Sequence, residues 1–495
     1  MKTLFIGASI LVSALLLSSC TTLTGSLRPQ PAQRQLPAGD LPQAFAPPAP
    51  TVTPPERWWE SFDSSELNAL MDSAFSGNLS VAQAWARLRQ ARAQSIGTAS
   101  DGKLQLTGAA EPSTTKTHDD MSGDDSSNKF TGWLSATYEI DLWGRIKANS
   151  QASKLEVLAS EEDVRATALL LSGQIADTWL QIKTAQAKLG VFKKQIATSR
   201  QSLDLLKMRQ RKGLSASVDV LQQQQLVASL ESGLPPLRES VATLRLQLAY
   251  LLGRSSDDGL TTGSASLPEL PKLPSPGLPS SLLENRPDIR AAWLRLQSQE
   301  WTTVAARANR LPALKLIGTS TVNSSSVNTL FDNWALNLAA NLTAPLLDGG
   351  QRKAEATRNR ALADETFLAY RDTVLTAVTE VNDALVRERW KQSYLQRLET
   401  ESAYATQTLE ETRRRYRKGM SEYLSVLTAL SSQQATERSL IAARADLLNN
   451  RIALYKALGG DWLRQANMQG LRPHTPAGAS STPRTPHSSF VKRKN

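Results

Sequence analysis

The residue best suited to covalent chemistry is Cys20, the only cysteine of the sequence. It follows Leu17-Ser18-Ser19, an aliphatic residue and two small ones, directly after an apolar stretch from Leu4 to Leu17. This pattern resembles the lipobox at which bacterial lipoproteins are cleaved and then acylated, commonly with palmitate. Residues 1–19 are therefore expected to be a signal peptide and Cys20 the lipidated first residue of the mature chain. An ordinary secreted protein with an incidental thiol is the alternative.

Side chains for other chemistry are sparse. The three histidines, His118, His474 and His487, lie in a polar segment and near the end of the sequence, so neither a metal site nor a catalytic base is indicated. Gly349-Gly350 precedes a helical stretch but lacks the spacing of a nucleotide-binding loop and fits a strand-to-helix joint better. The sequence predicts no enzyme, no metal and no cofactor.

Lys and Arg recur among acidic and amide residues along the sequence, so its net charge of +11 does not indicate a nucleic-acid site. Residues 471–495 are rich in Pro, Ser and Thr and are expected to form a disordered tail. Residues 20–55 are expected to be an extended segment that follows the lipid anchor. No stretch after the signal peptide approaches the roughly 18 apolar residues of a spanning helix, so a membrane crossing would need a closed β-barrel.

A proline-free stretch from Glu139 to Leu234 carries apolar or small residues in steps of three, four and seven, the spacing of a helical seam. The seam residues are Val164, Ala168, Leu171, Ile175, Ile182, Ala185, Leu189, Phe192, Ile196, Leu203 and Leu206. A helix from about Arg145 to Gln210 would be on the order of 100 Å long. Because a lone helix of this length cannot bury its own seam, the pattern predicts a coiled coil or a tunnel wall.

This helix should end at Lys212-Gly213-Leu214-Ser215, where glycine can adopt the left-handed cap and serine can cap the next helix. The return helix should be interrupted at Pro235-Pro236. A second turn at Lys418-Gly419-Met420-Ser421 has no proline after it. Two long antiparallel helical hairpins are predicted.

The sequence is expected to contain two copies of one unit. Arg211 to Ser215 recurs as Arg417 to Ser421, and Gly144 recurs as Gly350, at a shift of 206 positions. The predicted organisation is a first repeat at 56–262 with a β-hairpin at 103–141 and a helical hairpin at 145–253, a Pro-rich linker at 263–283, and a second repeat at 284–470 with hairpins at 312–345 and 351–459.

Two segments alternate apolar and polar residues with the period of a strand, from Phe130 to Ile140 and from Trp334 to Ala344. Partner strands are expected around Leu104 to Ala110 and Leu314 to Val322, with polar loops at His118 to Asn128 and Asn323 to Asn328. An apolar face beside a polar one is typical of a barrel strand between lipid and water. Four strands cannot close a membrane barrel, so several chains would each have to contribute their four strands. Three chains would supply twelve. A half-buried sheet in a soluble domain is the alternative.

Four motifs of the sequence resemble those of a known protein family. They are Tyr138-Glu139-Ile140-Asp141-Leu142-Trp143-Gly144-Arg145, Arg286-Pro287-Asp288-Ile289-Arg290, Ala344-Pro345-Leu346-Leu347-Asp348-Gly349-Gly350, and Leu454-Tyr455-Lys456-Ala457-Leu458-Gly459-Gly460-Asp461-Trp462. Together they resemble the outer-membrane factor family, and more closely the lipoprotein branch of TolC-like efflux channels that partner resistance-nodulation-division pumps. The resemblance implies a mainly helical homotrimer, with a twelve-stranded transmembrane β-barrel continued by a periplasmic α-barrel tunnel.

In that family the hairpin turns meet a periplasmic membrane-fusion adaptor that links the channel to an inner-membrane pump. The residues carried over to this contact are Gly213, Leu214, Ser215, Gly419, Met420 and Ser421, for which plain helix capping is the alternative. The family's tip also closes the resting channel, commonly with an acidic ring, but the position that often holds aspartate is Thr428 here. The gate candidates are Asp219, Tyr416, Glu422, Leu424 and Thr428, although Asp219 and Glu422 would also suit helix N-termini.

The expected function is that of a passive outer-membrane conduit for small molecules such as drugs or toxic compounds, driven by its inner-membrane partner. Thr21 after the lipidated cysteine is compatible with sorting to the outer membrane. Two alternatives stay open: the outer-membrane component of a type I protein secretion system, and a periplasmic coiled-coil lipoprotein that acts as a scaffold without a pore.

Overall fold

The computed structural model describes residues 28–37, 39–45, 57–119, 123–260, 263 and 266–459. The predicted signal peptide, Cys20 and the tail at 471–495 lie outside this part of the chain. Its elements, in chain order, are α1 (Ser65–Gly77), α2 (Leu79–Ser100), β1 (Gln105–Asp119), β2 (Gly123–Ile140), α3 (Arg145–Arg211), α4 (Ser217–Ser232), α5 (Leu234–Leu251), α6 (Leu282–Asn285), α7 (Pro287–Ala308), β3 (Ala313–Ser324), β4 (Trp334–Thr343), α8 (Gln351–Arg417) and α9 (Tyr423–Leu458). The protein is mainly helical with a small antiparallel sheet, as predicted.

Helices α3 and α8 have 67 residues each, which corresponds to about 100 Å at 1.5 Å per residue. The predicted seam of α3 is largely inaccessible to solvent, with Val164, Ala168 and Ile175 fully buried. Helices α2, α4, α5, α7 and α9 all pack against α3. Several shorter helices therefore cover a seam that α3 cannot bury by itself.

Proline shapes the return path of the first helical hairpin. Helix α4 ends at Ser232 and α5 begins at Leu234, with Pro235 in its first turn. Proline is accepted there because the first amides of a helix have no partner within the helix. At the break, a Cβ on Gly233 would lie 2.4 Å from the Phe192 ring. The return helix of the second hairpin, α9, is continuous over 36 residues.

The two halves of the chain share one order of elements. Helices α3 and α8 begin and end 206 positions apart, and each follows a glycine with positive φ, Gly144 at 77° and Gly350 at 85°. Gly253 and Gly459, also 206 apart, both have positive φ after the last helix of their half. The internal repeat itself stays a prediction.

The sheet has the order β1-β2-β3-β4, with every neighbouring pair antiparallel. The expected polar loop from His118 to Asn128 is wrong, because β1 and β2 stay paired as far as Asp119 and Gly123. Polar cross-strand contacts hold this extension together, including a 2.9 Å hydrogen bond from Thr114 to Asn128. The expected second loop begins too early by two residues, since β3 continues to Ser324. When both faces of a strand are exposed, its residues do not alternate between apolar and polar, so alternation in the sequence cannot predict the strand.

An N-terminal strap, defined here as residues 28–45 apart from 38, lies along the second half of the chain. Arg28 donates to the Leu142 carbonyl at 3.0 Å, and Arg34 pairs with the buried carboxylate of Glu300 and with Asp364. Arg371 holds Asp40 through two hydrogen bonds of 2.7 and 2.9 Å. Phe45 enters the apolar core between α7, α8 and α9. The strap is therefore docked against the helices where it is described, and the extended lipid-anchored segment at 20–55 stays a prediction.

None of the helices in the described part of the chain combines the length and the apolar composition that a membrane-spanning helix needs.

The strap contacts generate a first prediction. Arg371→Ala should release the strap near Asp40, because the Arg371 guanidinium donates two hydrogen bonds to that carboxylate and lowers its pKa. A lowered pKa means that the contact contributes above the usual aspartate pKa of about 4 and is lost on acidification below it. Limited proteolysis at neutral pH should cut residues 28–45 faster in the variant than in the wild type. Arg387→Ala, which removes an exposed ion pair with Asp383 on α8, is the control. Equal cleavage in both variants would contradict the docking role.

Candidate functional sites at the helical tip and on the sheet

The two hairpin turns have the same backbone geometry. After α3, the amide of Gly213 donates to Gln210 and that of Leu214 to Arg209, both at 2.9 Å. After α8, Gly419 donates to Tyr416 and Met420 to Arg415, both at 3.0 Å. These paired bonds form the Schellman motif, which requires a left-handed residue at the glycine position. Accordingly, Gly213 has φ of +69° and Gly419 has φ of +71°.

An apolar cluster joins the two turns, and we call it the tip cluster. It contains Leu203, Leu206, Val220, Val227, Leu409, Tyr423, Val426, Ala429 and Leu430. Tyr416 packs against this cluster, edge-on to Tyr423 with ring centroids 5.5 Å apart. The Arg209 guanidinium lies 5.2 Å from the centre of the Tyr416 ring. Side chains from both hairpins therefore meet near the turns.

A row of hydrogen-bonded side chains, the buried polar chain, runs behind the tip cluster. The Tyr423 hydroxyl donates to Gln223 at 2.6 Å, and the Gln223 amide donates to the Ser199 carbonyl at 2.7 Å. Gln434 donates to the Ser199 hydroxyl at 3.2 Å, and Gln195 donates to the Gln434 carbonyl at 3.1 Å. These contacts connect α3, α4 and α9, and fix the register of the second hairpin on the first.

Sequence reasoning missed this buried polar chain, although its spacing held a signal. Gln223 stands between Val220 and Val227 in the buried seam of α4, and Gln434 follows Leu430 by four positions in α9. Burial raises the pKa of Tyr423 to about 12, with the neighbouring Tyr416 adding to the effect. The phenol therefore stays protonated and donates to Gln223 near neutral pH.

The sequence-predicted tip residues occupy different environments. Gly213, Leu214, Gly419 and Met420 are exposed, and Ser215 and Ser421 are half-buried. The Asp219 carboxylate accepts from the Ser215 hydroxyl at 2.9 Å and from the Ala216 amide at 3.2 Å. These bonds place Asp219 in the cap of α4, which favours the capping interpretation over a gate.

The remaining gate candidates lie around the second turn. Glu422 is exposed at the N-cap of α9, where its side chain makes no capping hydrogen bond. Leu424 is 51% exposed. Thr428 is also exposed, and its hydroxyl donates to the Leu424 carbonyl at 3.0 Å. Together with the half-buried Tyr416, these residues stay predictions as gate elements.

The second site is one face of the sheet. Cross-strand register places Leu106, Leu134, Leu316 and Leu338 on one side of the sheet, together with most of the other large apolar strand residues. The side chains of this face include Trp334, which is 69% exposed, and Leu338, which is 77% exposed. The opposite face carries Thr, Ser, Asn and Ala residues together with Trp133, Glu139, Lys315 and Ile317. The predicted alternation is therefore present as two distinct faces.

Two of the four sequence motifs, the one that contains Asp141 and the one that contains Asp348, form the joint between the sheet and the long helices. Asp141 accepts hydrogen bonds from the amides of Ile146 and Lys147 at 3.2 and 2.8 Å, which caps α3. In the second half, Asp348 accepts from the amide of Gly350 at 3.0 Å. The Trp143 indole donates to the Pro312 carbonyl at 2.7 Å and so ties the joint to the start of β3.

Arg286 explains two further motifs. It donates bidentately to Asp288 at 3.1 and 2.7 Å, to Glu380 of α8 at 2.6 Å and to the Ala457 carbonyl of α9 at 3.0 Å. A Cβ at Gly459 would lie 2.9 Å from Arg286 Cγ. The motif around Arg286 and the motif around Gly459 therefore form one packed corner, which holds the helix ends in place.

Across the described ranges, no group of His, Cys, Asp and Glu side chains is arranged to hold a metal ion. His118 lies in β1 and not in a loop, as a consequence of the longer strands.

Comparison with known proteins places these features in a family. A family model described as outer membrane efflux protein matches residues 70–254 and 278–460, most of the chain. The chain belongs to the outer membrane efflux protein family. It is 32% identical over 469 residues to the pyoverdine export outer membrane protein OpmQ of Pseudomonas putida, covering 91% of this chain and 96% of the relative. It is 29% identical over 420 residues to the cation efflux system protein CusC of Escherichia coli, covering 82% and 88%.

Solved structures agree with this assignment. The fold superposes on the outer-membrane channel OprN with a TM-score of 0.81 at 26% identity, covering 88% of this chain and 99% of that one. The predicted resemblance is confirmed, and the protein is an efflux protein of the outer membrane. Because the members of this family are channels, the prediction that the chain is not an enzyme is also confirmed.

The turn geometry generates a second prediction. Gly419→Ala should loosen the second turn by roughly 1–2 kcal/mol, because an alanine Cβ disfavours the left-handed conformation. Gly419→Asn should cost less, since asparagine tolerates that conformation. Hydrogen exchange of the amides between Lys418 and Glu422 measures the effect. Gly190→Ala, at an open position inside α3, is the control and should stabilise its helix slightly. Slower or unchanged exchange in Gly419→Ala would show that the turn does not need the left-handed backbone.

Proposed function

We propose that three copies of this chain assemble into a continuous conduit for small molecules across the outer membrane and into the periplasm. In this assembly the sheets would join edge to edge into a twelve-stranded transmembrane barrel, while the long helical hairpins form the periplasmic tunnel. The observation that carries the proposal is the exposed apolar sheet face, with a polar face behind it.

The physical support comes from solvation. An apolar face that is more than half exposed at Trp334, Leu336 and Leu338 is unfavourable in water and favourable against lipid. Strands β1 and β4 each pair on one side only within the described residues. Such edges cannot stay unpaired in hydrocarbon, so neighbouring copies would have to complete the ring, and four strands alone are too few to close one.

The conduit would be passive. The described residues provide no catalytic constellation or metal site, so a partner in the inner membrane would supply the energy. A periplasmic membrane-fusion adaptor would hold the turns at Gly213-Leu214-Ser215 and Gly419-Met420-Ser421. One relative is named for the export of pyoverdine and another for the efflux of cations. For this chain we propose small toxic molecules as the substrate class.

Cys20 would anchor each copy by its lipid. The strap supports this arrangement because its ion pairs fix residues 28–45 beside α8, on the path from the anchor to the first helices. The anchor would then lie on the membrane at the same end as the sheet, since Arg28 contacts Leu142 at the joint between sheet and helices.

The two alternatives differ from this proposal in what they transport. A type I secretion component would pass an unfolded protein through the same tunnel, and a scaffold would pass nothing. Purified protein in planar lipid bilayers should show steady ion conductance, which a scaffold would not. Accumulation of dyes and antibiotics in a gene deletion, compared with loss of a secreted protein, separates small-molecule efflux from protein secretion.

A third prediction tests the sheet. Leu338→Arg should block assembly in the outer membrane, because an arginine on the lipid face costs about 2–4 kcal/mol per copy near the membrane centre. Asn337→Arg, at the adjacent position on the polar face, should assemble normally. The readout is the amount of SDS-resistant oligomer in outer-membrane fractions. Equal amounts from both variants would rule out lipid contact at Leu338.

A fourth prediction tests the anchor. Cys20→Ser should abolish incorporation of labelled palmitate, because the acyl chains are attached through the cysteine. A globular marker fused after the C-terminus should remain detectable, which controls for expression. Incorporation of label by the Cys20→Ser protein would show that it is acylated elsewhere and would contradict the proposed anchor.

A further inference from the structure

The ends of the two long helices carry a dense positive charge. We call it the basic collar and define it as the Lys and Arg side chains of 207–212 and 413–418. The first run contains four basic residues and the second contains five, and neither contains a carboxylate. The two runs are far apart in the sequence, but the tip cluster brings them together, with Arg209 over Tyr416 at 5.2 Å.

Nearby carboxylates neutralise only part of this charge. Glu411, nearly two turns before the end of α8, pairs with Arg414 and Arg415. Asp219 is occupied by its own cap, and the other carboxylates within about one turn of the collar or turns are Glu422, Glu410 and Asp204. Over residues 204–222 and 410–428 there are nine basic and five acidic side chains, so the tip has a net charge of +4, and the whole chain has +11.

Seven of the nine collar side chains face solvent. Arg211, Lys212, Arg417 and Lys418 are exposed, and none forms an ion pair with another residue in the described part of the chain. Favourable interaction with the helix dipole accounts for basic residues in a last turn, at about 0.3–1 kcal/mol each. It does not account for nine of them in two adjoining helix ends, because like charges this close repel one another.

We propose that the basic collar makes the periplasmic mouth of the channel selective for anions, so that negatively charged solutes are the class it favours. This inference rests on the proposed function, because a selectivity filter needs a pore. Three copies would place about 12 net positive charges around one opening, and rings of Arg and Lys select anions in other pores. A mouth lined by one sign of charge raises the local concentration of counter-ions by about 10-fold or more.

The experiment is a reversal-potential measurement on the full-length protein in planar lipid bilayers with asymmetric KCl. In wild-type channels at low salt, the reversal potential should have the sign that preferential chloride permeation produces. Arg417→Gln with Lys418→Gln should shift the reversal potential toward potassium, and adding Arg211→Gln with Lys212→Gln should shift it further. All shifts should shrink at about 1 M salt, where the Debye length falls to about 3 Å.

Two control variants accompany the experiment: one keeps the charge of the collar, and the other removes the same number of charges far from it. Arg417→Lys with Lys418→Arg keeps the collar charge and should leave the reversal potential unchanged. Lys353→Gln with Arg360→Gln removes two exposed charges more than about 80 Å away along α8 and should also leave it unchanged. Thermal unfolding of each variant reports any loss of the helix-dipole contribution separately.

Each adverse result has a distinct meaning. Cation preference in the wild type, or an unchanged reversal potential in the collar variants, overturns the filter while leaving the channel intact. Unchanged selectivity with lost binding to the periplasmic adaptor would identify the collar as a docking surface and also overturn the filter. Absence of any conductance in wild type and variants would overturn the proposed channel itself, and the filter with it.

Discussion

Burial of the apolar seam along a helix of about 100 Å is the constraint on which the rest of this structure depends. Helix α3 presents Val164, Ala168 and Ile175 along one side, and no single partner helix is long enough to cover the whole seam. The chain meets the constraint by packing shorter helices end to end along it and by returning from each turn in an antiparallel hairpin. The turns, the strap and the packed corner at Arg286 all hold those pieces in place.

The sheet differs from the helices because its apolar residues are not buried. Its apolar side remains exposed in the chain, with Leu338 at 77%. In an efflux protein of the outer membrane, this exposure is understandable because lipid can take the place of a protein core. Under the proposed function the sheet would contact lipid and the helices water, and the joint at Asp141, Trp143 and Asp348 would lie between the two environments.

The tip combines firm backbone turns with a buried polar contact surface between the hairpins. The Schellman turns need no partner outside their own helix ends. The buried polar chain, in contrast, depends on both hairpins, since Tyr423 reaches Gln223 across them. Because Tyr423 titrates only near pH 12, this contact does not change over the pH range of a living cell. A change of pH within that range therefore does not deprotonate Tyr423 and does not break its hydrogen bond to Gln223.

The sequence alone determined the elements whose causes are local. Helical periodicity predicted α3 to within a residue, glycine predicted both turns, and strand alternation identified β2 and β4, because each depends on near neighbours in the chain. Only the tertiary structure decided what distant residues do together. Gln223 and Gln434 meet behind the tip, Asp40 is held by Arg371, and two basic runs 206 positions apart converge into one collar. The length of β1 also needed the structure, since its polar end is a strand only through pairing with β2. Periodicity reports which side of an element is buried, whereas the identity of the partner depends on how the elements pack in three dimensions.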